Sequence, residues 1–206
     1  MFDESYEKLD VNTVATILDS VNQIVDGSVF DPLETTILSI EVPFYKGYNF
    51  LHIADHATNP PLERYVFQRK DTTDFTMIDW NYKTIQKLNQ DAPINLTDEN
   101  IFEYIRFYFQ FVKMRYGRFR VCESTDNIQW KDEPSAEVKQ ALNQTLKPLE
   151  LIEKRKDGVY KVKAFMMMKD ILFTVNIYVE PNGRVTMTDQ EVLIENVPVL
   201  DPALGH

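Results

Sequence analysis

A chain of 206 residues with 44% hydrophobic and 26% charged residues has the composition of a globular protein, not of a disordered or fibrous one. Its formal net charge of −10 repels nucleic acid and anionic membranes at long range, so neither is an expected partner. The single cysteine, Cys122, excludes an intrachain disulfide, and the acidic N-terminus lacks the features of a signal peptide. We therefore expect a soluble, cytoplasmic protein.

The first half of the chain, residues 1–116, is predicted to contain two helices with four strands between them. Apolar residues at i, i+3, i+4 spacing over residues 11–25 predict an amphipathic helix, and Asp10 is a suitable N-cap for it. A short helical turn at residues 85–88 has a much weaker signal. Strands are predicted over residues 35–42, 48–54, 64–69 and 75–80.

The second helix of this half is predicted over residues 97–116, with Thr97 as N-cap and Gly117 as the terminating residue. Its apolar side chains surround nearly the whole circumference, and such a helix is usually buried on every side. We expect it to lie at the centre of the molecule. Lys113 and Arg115 would then occupy its last turn, where the helix dipole favours cations.

The second half, residues 117–206, ends in a predicted meander of three antiparallel strands over residues 157–194. Within it every odd position from Ile171 to Val179 is apolar, which is the period of a strand with one face against a core. Before the meander we predict a strand over residues 118–123, a helix capped by Ser135, and a strand over residues 149–155.

These elements predict an α+β protein with two antiparallel sheets, one per half, packed around the central apolar helix. The order of the second half, β-α-β-β-β-β, resembles that of a cystatin-like sheet in the order of its elements alone. The halves 1–116 and 117–206 are expected to form a single compact domain over residues 1–206.

Catalytic and metal-binding motifs are weak in this sequence. His52, Asp55 and His56 place metal-type ligands close together, but His52 lies in a predicted strand next to a loop, so the spacing does not fix the geometry of the three side chains. Cys122 lies in a predicted strand beside Glu123, whose carboxylate would disfavour a reactive thiolate. We therefore expect no catalytic residues, no metal site and no cofactor, and the protein is more consistent with a binding function than with an enzyme.

A basic segment is the distinctive electrostatic feature of this acidic chain. Residues 104–120 contain five basic side chains and no acid. Four cations there are predicted to converge, because a helix end and one strand face would present them together. Guanidinium groups at such a patch can hold a carboxylate, a phosphate or an acidic loop of a partner. The residues predicted to form this binding patch are Lys113, Arg115, Tyr116, Arg118 and Arg120.

The same residues also have a purely structural interpretation. Lys113 and Arg115 would satisfy the end of a helix, and Arg118 and Arg120 would pair with the chain's own acids. If the patch binds, the protein is a non-catalytic interaction protein of adaptor, chaperone or inhibitor type, contacting its partner through the patch or an exposed strand. The alternative is a small-ligand-binding module with a pocket in the curved C-terminal sheet.

Overall fold

The computed structural model describes residues 5–27, 29–115 and 117–200, and the chain divides into two compact units. The first unit runs to Asp79 and includes Lys87–Asn95, and the second contains Trp80–Gln86 and the chain from Leu96 onward. The architecture is α+β, with one antiparallel sheet in each unit and four α-helices among the described residues. Over those same residues, no helix is long and apolar enough to cross a membrane.

The sheet of the first unit has five antiparallel strands in the order of the sequence. The four predicted strands are confirmed, with ends that differ by up to three residues. A fifth strand of only two residues precedes them, and so short a segment carries no periodic signal. The strands are β1 (Glu7–Lys8), β2 (Thr35–Glu41), β3 (Tyr48–Asp55), β4 (Leu62–Arg69) and β5 (Phe75–Met77).

Helix α1 (Val11–Val21) covers part of one face of this sheet. The predicted N-cap is confirmed, since the Asp10 carboxylate accepts the backbone N–H groups of Asn12 and Thr13 at 2.9 and 3.2 Å. The helix ends four residues earlier than predicted, because the Asn22 side chain forms two hydrogen bonds with the backbone of Phe30. The core beneath the helix contains Val14, Ile17, Leu18, Val21, Ile37, Leu51, Ile53 and Val66.

Helix α2 (Tyr82–Asp91) has ten residues where the sequence predicted only a helical turn. Its apolar signal is weak because Ile85 and Leu88 are the main buried positions, and the rest of the helix is polar. Two anchors on one face are enough to hold a helix by packing, although they give little periodicity to detect.

Helix α3 (Ile101–Phe111) is the apolar helix, and seven of its eleven residues are buried, as the sequence predicted. Its predicted ends are wrong. The N-cap position is Asn100 and not Thr97, and the helix ends at Phe111 and not near residue 116. The Lys113 N–H donates to the Trp80 carbonyl at 2.8 Å. This amide therefore bonds to a residue distant in sequence and not to the carbonyl four residues earlier, as it would in a helix. The packing of two sheets around α3 stays a prediction.

The sheet of the second unit contains the predicted three-stranded meander, which is confirmed as antiparallel throughout. Phe173, Val175, Ile177 and Val179 are buried, as the alternation indicated. Helix α4 (Ala136–Thr145) begins after Ser135, whose hydroxyl accepts the Val138 N–H. The strands are β6 (Lys113–Met114), β7 (Gly117–Val121), β8 (Glu150–Lys154), β9 (Tyr160–Met168), β10 (Ile171–Val179) and β11 (Val185–Ile194).

Two strands share one edge of β9. Strand β8 pairs with its beginning and β7 with its end, where Phe119, Arg120 and Val121 lie opposite Met168, Met167 and Met166. A small core beneath this end of the sheet contains Cys122, Ile128, Leu142, Leu146, Met167, Leu172 and Val197. The pairing places the basic segment against the turn that joins β9 to β10.

Candidate binding site

The basic segment folds as a tight hairpin of β6 and β7. Lys113 pairs with Arg118 and Met114 pairs with Gly117, so only two residues form the turn between the strands. Gly117 has a φ of +129°, a backbone conformation that favours glycine. The prediction that Lys113 and Arg115 lie in the last turn of a helix is therefore wrong, since Lys113 belongs to β6 and Arg115 to the turn. Tyr116 lies outside the described residues.

Strand pairing brings the predicted cations together in a different way. Lys113 and Arg118 are directly opposite each other, and directly opposite residues of antiparallel strands point to the same face. Arg120 lies two residues along β7 from Arg118 and so shares that face as well. Arg115 is exposed in the turn. The hairpin thus presents three of the four predicted cations, namely Lys113, Arg118 and Arg120, on one face.

Neutral oxygen atoms position the two guanidinium groups of the site. Arg118 donates from Nη2 to the Gln110 carbonyl at 2.8 Å. Both terminal nitrogens of Arg120 donate to Gln129 Oε1 at 3.3 Å. These hydrogen bonds orient the two guanidinium groups.

Lys169, which was not among the predicted residues, completes the site with Arg118 and Arg120, whereas Lys113 does not line it. Lys169 lies in the β9–β10 turn with a φ of +52°, directly after Met168, which pairs with Phe119 of β7. Arg118, Arg120 and Lys169 line a shallow depression of about 20 Å³. No spacing along the chain links Lys169 to the arginines, because a pairing between distant strands makes them neighbours.

The floor of the depression is apolar. Cys122, Ile128 and Met167 line it and are buried members of the small core of the second unit. One wall is formed by Val199 and Leu200, in a segment held by the hydrogen bond from the Leu200 N–H to the Gln129 carbonyl at 2.8 Å. The site therefore combines a cationic rim with an apolar floor, beside which a charge–charge contact is stronger than in open water.

The other residues considered from the sequence, as nucleophile or metal ligands, lie in surroundings that do not favour those roles. Burial raises the pKa of the Cys122 thiol to about 11, which keeps it protonated near neutral pH and unsuited to nucleophilic attack. His52 stacks on Tyr65 with ring centroids 4.8 Å apart, and the His56 ring lies 3.2 Å from Thr36 Oγ1. Asp55 accepts the Ala57 N–H. Within the described part of the chain, no three metal-ligating side chains cluster.

Asn176 of β10 forms a side-chain hydrogen bond within the C-terminal sheet. The Asn176 amide donates to Asp189 Oδ2 at 2.8 Å, across the β10–β11 pair. This bond consumes hydrogen-bonding capacity that a ligand on that face would need. A ligand pocket in the C-terminal sheet remains a prediction.

Comparison with known proteins gives no match for this chain. No protein-family model matches it, no curated protein resembles it significantly, and no solved structure is significantly similar.

Proposed function

We propose that the protein is a non-catalytic interaction protein that binds an acidic segment of a partner protein at the rim formed by Arg118, Arg120 and Lys169. The observation that carries this proposal is the convergence of three cations around an apolar depression. An acidic side chain that enters such a site exchanges water for several N–H donors and an apolar floor. Arginine is also enriched at protein interfaces.

The size of the depression favours a protein partner over a small organic ligand. A volume of about 20 Å³ is close to the space that one water molecule occupies. Small-molecule sites usually enclose roughly 300 to 1,000 Å³. The depression has room for about one carboxylate oxygen of an aspartate or glutamate, and the remaining contacts would come from the surface around it.

Preorganisation supports the same interpretation. The bonds to Gln110 and Gln129 hold the guanidinium groups before any partner arrives. Fixing a long side chain on binding costs about 0.5–1.5 kcal/mol, so groups that are already positioned bind at a lower entropic cost.

The described strand edges are less suited to a partner. Binding by strand addition needs a long, regular edge, and bulges or short strands prevent it. Strand β11 is long, but its pairing with β10 has two register shifts, and β8 has one against β9. The other edge strands, β1, β5 and β6, have two or three residues each.

Net charge constrains how such a complex forms. A chain of charge −10 repels an acidic partner at long range, so the attraction must act locally. At physiological ionic strength the screening length is about 8 Å. The repulsion by the net charge and the attraction to the arginine rim therefore both act only near contact. Cytoplasmic localisation belongs to the same proposal, and the protonated, buried Cys122 is compatible with a reducing compartment.

A titration with a hexaglutamate peptide tests the proposal. We expect backbone amide resonances of residues 117–122, 127–129 and 167–169 to shift on addition of the peptide to ¹⁵N-labelled protein. The variant Arg118→Glu with Arg120→Glu should abolish these shifts, and Lys169→Ala should weaken binding about threefold to tenfold, as loss of one charged contact predicts.

The matched control reverses two other exposed arginines. Arg155→Glu with Arg184→Glu changes the net charge by the same amount, on turns at the far end of the meander. If that control weakens peptide binding as much as the patch variant does, the effect is one of net charge and the site is not the arginine rim. Hexalysine in place of hexaglutamate should cause no shifts at these amides.

A further inference from the structure

The face of the first sheet that packs against α1 is apolar at one end of its strands and polar at the other. At one end Ile37, Leu51, Ile53 and Val66 form the core beneath the helix. At the other end the same face becomes polar and lines an open groove with a volume of about 1080 Å³. Packing against α1 explains the apolar end, but it provides no reason for the polar one.

A row of three polar side chains crosses the floor of this groove. Glu41 of β2 is directly opposite Asn49 of β3, and Asn49 is directly opposite Gln68 of β4. Neighbouring strands lie about 4.8 Å apart, so the row presents a carboxylate and two amides at regular intervals. Lys70, two residues beyond Gln68, forms an ion pair with Glu41 across the row.

Several of these groups retain unused hydrogen-bonding capacity. Ser39 is only 9% exposed and lines the groove, yet its hydroxyl forms no hydrogen bond with any described residue. The Asn49 amide likewise has no partner among the residues that the structure describes. Gln68 donates from Nε2 to the Thr72 carbonyl at 3.3 Å, which leaves its side-chain oxygen as an acceptor. The Ser39 hydroxyl lines an open groove, where water or a ligand that displaces the water can satisfy it.

The lining favours a ligand that is rich in donors and carries positive charge. Three carboxylates line the groove against one ammonium group, and the remaining polar lining residues can all accept hydrogen bonds. No aromatic side chain lines it among the described residues, so the stacking platform that nucleobases and sugars use is missing. The charged residues are Glu7, Glu41, Asp71 and Lys70.

We propose that this groove binds a linear polyamine. The Lys70 ammonium group against Glu41 shows that an alkylammonium fits this wall, and the Glu41 side chain, 70% exposed, has room for a second one. Successive nitrogens of a polyamine would reach the row of acceptors formed by Asn49 and Gln68, while Ser39 receives the partner that it lacks. This site is independent of the arginine rim in the second unit.

Calorimetric titration with spermidine tests the proposal, and all variants are first checked for cooperative thermal unfolding. Glu41→Gln should weaken binding about tenfold or more, because it removes one charge-assisted contact. Asn49→Leu should weaken binding about threefold to tenfold while leaving every charge in place. If Glu41→Gln fails to fold, Asn49→Leu is sufficient by itself to test the proposal.

The control is Glu63→Gln, which makes the same charge change on the opposite face of β4, where Glu63 is paired with Ala54 of β3. It should leave spermidine binding within about twofold of wild type, since charges beyond the screening length contribute little. The proposal is overturned if Glu63→Gln weakens binding as much as Glu41→Gln. It is equally overturned if Asn49→Leu binds as well as wild type, or if wild type shows no saturable binding.

Discussion

Arg106 and Glu123 form an ion pair through two hydrogen bonds, from Nε to Oε2 at 2.7 Å and from Nη2 to Oε1 at 2.9 Å. Glu123 Oε1 also accepts the Leu149 N–H at 3.1 Å. One half-buried carboxylate thus joins α3, the residues after β7 and the residues before β8. Burial raises the pKa of Glu123, but the bonds from Arg106 and Leu149 together outweigh it and hold that pKa below its ordinary value.

We expect Glu123→Gln to lower the free energy of unfolding by about 1.5–3 kcal/mol, because it replaces a charge-assisted pair with a neutral acceptor. Urea denaturation monitored by circular dichroism measures the change. Glu150→Gln, an exposed position of β8, should change it by less than about 0.5 kcal/mol. Equal stability of the two variants would show that the ion pair contributes nothing.

Asp98 makes stability depend on pH. Its carboxylate accepts hydrogen bonds from Lys154 Nζ at 2.6 Å and from the Tyr160 hydroxyl at 3.0 Å, and these bonds lower the pKa of Asp98. A carboxyl group with a lowered native pKa stabilises the fold above its unfolded-state pKa, and this contribution is lost as the pH falls through the native value. The Asp98→Asn variant should therefore be less stable than wild type near neutral pH.

The difference between Asp98→Asn and wild type should shrink as the pH is lowered below about 4, where the wild-type carboxyl is protonated in the unfolded chain. Thermal melting at several pH values measures it. A difference that stays constant down to acid pH would mean that the carboxylate charge has no role in the contact.

Cys122 should be unreactive in the folded protein. It is 1% exposed, and burial raises the pKa of its thiol to about 11, so little thiolate forms near neutral pH. We expect a thiol reagent such as iodoacetamide to modify it in urea and not in buffer, with mass spectrometry as the measurement. Rapid modification of the native protein would contradict the buried position.

Gly117 is required by the hairpin that carries the arginines. Nothing lies within 4 Å of a Cβ built on it, so the cost of Gly117→Ala comes from the φ of +129° and not from a clash. We expect a loss of about 1–3 kcal/mol in the free energy of unfolding. Lys147→Ala, at an exposed loop position, should change it by less than about 0.5 kcal/mol. Comparable stability of the two variants would show that the turn accepts a side chain.

The sequence predicted well those elements whose signal is local. Strands such as β10 alternate strictly because a sheet face meets a core, and Asp10 and Ser135 cap helices through bonds to residues two or three positions away. Prediction failed where a distant partner decides the outcome. Helix α3 ends early as Lys113 bonds to Trp80, and α2 is held by packing that leaves few apolar residues to detect.

For the candidate site, the sequence by itself determined that cations are concentrated after α3 and that Arg118 and Arg120 share a face, because a strand has a period of two. The tertiary structure decided the rest. The pairing of β7 with β9 places Lys169 beside Arg118 and Arg120. Gln129 and Leu200, which belong to separate segments of the chain, line another part of the depression. Local periodicity follows from backbone geometry, whereas neighbours across a sheet depend on which strands pair. Which strands pair depends on the burial of the whole core, and no single segment of the sequence specifies it.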